Sequence, residues 1–73
     1  MAIDYDRMRK AYPRQKAELT RALNKGDAAK VREACIKAVR EWNDIGAWPD
    51  GWSRWQRALD ATGQRILLED LPL

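Results

Sequence analysis

Few side chains in this 73-residue chain belong to the types that carry covalent or acid–base chemistry. There is no histidine and one cysteine, Cys35. Cys35 recurs with Val31, Ala34, Ala38, Val39, Trp42 and Ile45 at steps of three and four, which predicts an apolar helix face. A thiol placed there is a core residue; a thiolate nucleophile would need an accessible, electropositive site and a base. A lone cysteine excludes an internal disulfide, and without histidine there is no Cys/His metal site. Among the carboxylates, Asp44 and Asp50 flank a tryptophan-rich loop and read as helix-end residues rather than an acid/base pair. Glu69 and Asp70 are adjacent on a tail where nothing positions a substrate. The four glycines are scattered, so no loop cradles a phosphate. The expectation is a non-enzymatic protein with no cofactor and no metal.

Two residue classes remain that could bind rather than catalyse. Trp42, Trp48, Trp52 and Trp55 crowd into 14 consecutive positions. A buried tryptophan supplies a large apolar area while its N–H still requires an acceptor. Tryptophan is also enriched at the centres of protein interfaces. Most of the cluster is expected to be core, with Trp48, in a loop, left on the surface. Trp48 and Pro49, with the apolar tail residues Leu67, Leu68 and Leu71, are therefore the candidate protein-interaction surface. The basic residues form the second class. Residues 1–40 carry a net charge of +6 and residues 41–73 a net charge of −3. Arg9, Lys10, Arg14, Lys16 and Arg21 are candidate nucleic-acid contacts, because phosphates bind such a face in a salt-sensitive way. Asp4, Asp6, Glu18, Asp27 and Glu33 dilute it. The same asymmetry fits two halves that attract each other, within a chain or between copies. Base stacking on the tryptophans is disfavoured, since only Arg54 and Arg57 interleave with them, beside Asp50 and Asp60.

The elements that must position these residues are helices. Gly26 suits the left-handed position after a helix, and Asp27 suits the N-cap of the next. So short a turn predicts an antiparallel helical hairpin. Its second helix is expected over 28–44. In the first, Tyr5, Met8, Tyr12, Leu19, Ala22 and Leu23 share a stripe, which Pro13 interrupts. Proline costs a helix interior a hydrogen bond but suits a first turn. A short helix over 4–11 and a main helix over 13–25 are expected, with one kinked helix as the alternative. A third helix is expected over 50–62, capped by Asp50, with Trp52, Trp55, Ala58 and Leu59 facing inward and Gly63 ending it. Residues 63–73 are expected to be an extended apolar tail. The predicted fold is a single all-α domain, a small helical bundle in which the third helix lies across the end of the hairpin.

Size and composition agree with that reading. The chain is 45% hydrophobic, enough for a core but at a length where only roughly 60% of the unfolded surface is buried. Dense aromatic packing or self-association must make up the difference, so a homo-oligomer is one expected partner state. The first residues lack the apolar run of a signal peptide, and no stretch approaches the length of a membrane span. The expected setting is the cytoplasm, with no membrane partner.

The run EWNDIGAWPDGWSRWQRALDA, residues 41–61, resembles a stretch in short uncharacterised proteins of actinobacteria and their bacteriophages. Those proteins similarly pair a helix ending in a Gly-Asp turn with a second helix, followed by Trp-Asn-Asp-Ile-Gly, Trp-Pro-Asp and Trp-Ser-Arg-Trp-Gln. The likeness runs from Ala22 to Asp60, about half of the chain. It implies a source and a setting, a host cytoplasm if the protein is phage-encoded, and no catalytic or binding residue. The hairpin is also similar to a single tetratricopeptide unit, though no second repeat follows. The leading expectation is a small accessory protein that binds a host or phage protein; nucleic-acid binding through the basic N-terminal helices is the alternative.

Overall fold

A computed structural model describes residues 3–63, and among these the protein is all-α. Three helices follow in order: α1 over Tyr5–Lys25, α2 over Ala28–Ile45 and α3 over Ser53–Ala61. The C-terminal tail lies outside the described residues. α1 and α2 form the hairpin. Gly26 turns left-handed at φ 66°, and its N–H donates to the Leu23 carbonyl at 3.0 Å. The Asp27 N–H donates to the Ala22 carbonyl at 3.3 Å, so two otherwise orphaned carbonyls of α1 are satisfied. Asp27 also opens α2, accepting from the Lys30 N–H at 3.1 Å through its side chain. At the far end the Asp4 N–H donates to the Ile45 carbonyl at 3.2 Å, tying the start of α1 to the end of α2.

Pro13 does not divide the first helix. α1 runs through it as one helix, which corrects the expected break between 4–11 and 13–25. The missing bond would have ended on the Arg9 carbonyl, and both Arg9 and Pro13 are exposed, so water can reach that oxygen. Contacts to α2 and its following loop hold the chain helical on both sides. Tyr12 is anchored at Ala47, Arg14 at Glu41, and Gln15 at Glu41 and Trp42. Such tertiary packing outweighs local propensity in most protein helices.

α2 lies between its neighbours, packing on α1 along one side and on α3 along another. Val31, Cys35, Ala38, Val39, Trp42 and Ile45 are buried along it. The buried face of α1 is Ala11, Gln15, Leu19 and Ala22. It is turned from the stripe expected, since Tyr5 is 57% and Leu23 40% exposed. Ala11 and Ala22 on α1 and Ala38 on α2 are all buried, while the larger Tyr5 and Leu23 stay at the edge.

α3 begins later than expected. A turn over Pro49–Trp52, closed by the Trp52 N–H on the Pro49 carbonyl at 3.1 Å, precedes it. Trp52, not Asp50, stands at the N-cap, and no side chain caps this helix. Asp50 sits one residue into the turn, too early to reach the first amides of α3. Trp55, Ala58 and Leu59 are the buried residues of α3. Its first turn meets the middle of α2: the Cys35 thiol approaches the Trp55 carbonyl at 4.0 Å. α3 therefore lies on the flank of α2 rather than across the end of the hairpin.

Candidate functional site

The tryptophans form a graded series from core to surface. Trp42 is fully buried, and its Nε1–H donates to Oε1 of Gln15 at 2.9 Å. Gln15 is itself buried and donates its amide to Oε2 of Glu41 at 3.2 Å, so both ends of its amide are used. Trp55 meets Trp42 edge-on, with centroids 5.5 Å apart and planes at 83°. Trp48 tilts against Trp42 at 5.2 Å, and Trp52 meets Trp48 edge-on at 5.8 Å. These are the offset geometries that aromatic quadrupoles favour. Trp48 and Trp52 are half-buried and packed on the core from outside. Trp48 is held further by its Nε1–H, which donates to Oδ1 of Asn43 at 3.1 Å. The tryptophan expected on the surface is thus half-buried, packed against both Trp42 and Trp52.

Beside this cluster is a crevice of about 190 Å³ between α1 and the turn that leads into α3. Tyr12, Gln15 and Lys16 line it from α1, Pro49 and Gly51 from the turn, and Arg54 and Trp55 from α3. The Tyr12 hydroxyl donates to the Ala47 carbonyl at 2.8 Å, pinning the loop to α1. Burial first, and then the negative charge of Asp50, push the Tyr12 hydroxyl above its usual pKa, so it stays protonated as a donor. Lys16 and Arg54 are exposed at the rim, and neither has an ion partner among the described residues. The crevice thus combines the rings of Tyr12, Pro49 and Trp55 with the polar Gln15, and its rim carries two cations, with Asp50 close enough to act on Tyr12.

Of the expected protein-interaction residues, Trp48 and Pro49 are adjacent and half-buried, but only Pro49 lines the crevice. Leu67, Leu68 and Leu71 lie outside the described residues. The expected basic set does not form one face. Arg9 pairs with Asp6, and Arg14 places Nη2 2.9 and 2.8 Å from the two carboxylate oxygens of Glu41. At about 100° of rotation per residue, Lys10, Arg14 and Arg21 fall on one edge of α1, with Arg9 and Lys16 on the other. Arg14 and Arg21 accordingly line hollows shared with α2, while Lys16 lines the crevice.

Sequence reasoning missed Tyr12, Gln15, Gly51 and Arg54 as crevice residues. The demand of a buried Trp42 N–H for an acceptor was the available signal for Gln15. Cys35 is fully buried, and burial pushes its thiol up to about 12, so it is a neutral core side chain.

Comparison with family models, with curated proteins and with solved structures finds no match to the chain. No helix among the described residues is long and apolar enough to cross a membrane.

Proposed function

We propose that the protein is a small non-enzymatic interaction module, and that a partner protein docks where the crevice meets the half-buried Trp48 and Trp52. The observation that carries this reading is the combination at one edge of the molecule. Half-buried tryptophans packed on the core lie next to a crevice that is lined by Tyr12, Gln15, Pro49 and Trp55 and rimmed by Lys16 and Arg54. Pre-organised aromatic side chains lose little conformational freedom on binding, which is why they dominate interface energetics. The rim cations favour a partner that offers an apolar anchor beside a carboxylate. The resemblance of residues 41–61 adds a setting: an accessory protein of an actinobacterial bacteriophage, acting on a host or phage protein in the host cytoplasm.

The test uses immobilised wild type, Lys16→Glu/Arg54→Glu and Trp48→Ala in actinobacterial lysate treated with nuclease. A discrete protein retained by wild type, lost by the charge-reversed variant and weakened by Trp48→Ala is the expected result. Circular dichroism should show the helix content of both variants preserved. Equal capture by all three proteins would remove the crevice as the docking site. A second copy of the chain is the competing occupant, and light scattering that shows a dimer dissolved by Lys16→Glu/Arg54→Glu would transfer the site to self-association.

A further inference from the structure

The opposite edge of the molecule carries a second surface, built by α1 and α2. Its cations divide into two groups. Arg7 and Arg14 lie against Glu41 and Asp44, and Lys30 lies 3.7 Å from Glu33. Arg21, Lys25, Arg32, Lys37 and Arg40 have no ion partner among the described residues and are all exposed. These five are brought together by the hairpin. Arg21, Lys25 and Lys37 line the α1–α2 groove. Arg32, Lys37 and Arg40 ring a shallow hollow on the outer flank of α2. Lys37 borders both, and it also lines the upper part of the groove with Arg40, so the surface is continuous. Glu33, Glu41 and Asp44 also line it, in the ion pairs just described, and the remaining carboxylates are Glu18, in the groove, and Asp27, which is engaged at the N-terminus of α2. The surface therefore keeps a positive excess that its own ion pairs do not remove.

We infer that this surface, centred on Lys37, binds the phosphate backbone of a nucleic acid without reading its sequence. A protein partner would require an apolar anchor, and among the described residues the only large apolar side chain lining this face is the half-buried Ile36. Phosphate contacts require none, since release of counterions supplies the affinity. The hollows are open and shallow, which suits a backbone lying across them rather than a base held in a pocket. The residues that carry the contact differ from those expected of α1 alone: of the expected set, Arg21 is retained, Lys10 is exposed on the same edge of α1, Arg9 and Arg14 are held by carboxylates, and Lys16 faces the crevice.

The experiment is fluorescence anisotropy of a labelled duplex DNA of mixed sequence titrated with the full chain. Contact with about four phosphates predicts a loss of roughly a hundredfold in affinity from about 50 to about 200 mM salt. Lys37→Glu/Arg40→Glu is expected to weaken binding at least tenfold and to flatten the salt dependence. Lys16→Glu/Arg54→Glu has the same net charge and is expected to bind near the wild-type level, which separates this surface from general electrostatic attraction and from the crevice. Lys37→Gln/Arg40→Gln, with helix content checked by circular dichroism, guards against a folding defect. Three results would overturn the inference: no binding at low salt, equal loss in the two charge-reversed variants, or displacement of the duplex by polyglutamate at equal charge concentration, which would mark a site for acidic protein.

Discussion

Gln15 decides how the centre of the molecule is wired. Its amide accepts the Trp42 N–H on one side and donates to Glu41 on the other, and Glu41 in turn holds Arg14. No buried side-chain nitrogen or oxygen among the described residues lacks a partner. A buried donor left unpaired costs about 1–3 kcal/mol, more than the net gain from an average hydrogen bond. Gln15→Met keeps the volume but removes the acceptor for Trp42. It is expected to lower stability by about 2 kcal/mol in urea denaturation. A loss of only a few tenths would show that Trp42 finds another acceptor. At this scale the sequence was partly legible. The tryptophan's need was readable from its type, but the acceptor lay 27 positions away, and nothing local distinguishes Gln15 from a solvated glutamine.

Between elements, the hairpin turn was readable because its physics is local. Gly26 and Asp27 each act within a few residues, one through a left-handed backbone and the other through a cap. Pro13 was not readable in the same way. Its local cost is real, but the bonds that override it come from Glu41, Trp42 and Ala47, more than 25 residues distant. This yields a sharp expectation. Within one continuous helix, Pro13→Ala restores the bond to the Arg9 carbonyl and removes the proline strain. After allowance for the more flexible unfolded chain, stability should rise by about 1–2 kcal/mol. Were Pro13 the first residue of a separate helix, the same change would leave the denaturation midpoint unchanged or lower it.

For the whole molecule, the tryptophan series couples the loop and α3 to the hairpin. Trp42 touches Trp48 and Trp55, and Trp48 touches Trp52, so loss of the inner member affects all three elements. Trp42→Ala is expected to cost about 3–5 kcal/mol, comparable with the total stability of so small a domain, and to leave it largely unfolded by circular dichroism. Trp48→Ala removes a half-buried ring and is expected to cost about 1–2 kcal/mol, with helix content preserved. Equal losses would mean that Trp48 is as much core as Trp42, and it could not then serve as a docking edge. The charge distribution also acts at this scale. Hairpin formation sets Arg21, Lys25, Arg32, Lys37 and Arg40 on one edge and leaves Lys16 and Arg54 at the other.

By itself the sequence determined the all-α class, the Gly26–Asp27 turn, the buried stripe of α2 and the inward face of α3. Each depends on spacing or on residues a few positions apart. Only the tertiary structure decided that α1 is continuous, that Gln15 is buried, that α3 lies on the flank of α2, and that the expected basic set divides between two edges. Those outcomes depend on partners far apart in the chain. The rotation of α1 that buries Ala11, Gln15, Leu19 and Ala22 depends on how it packs against the rest of the fold, and periodicity in one helix does not contain that information.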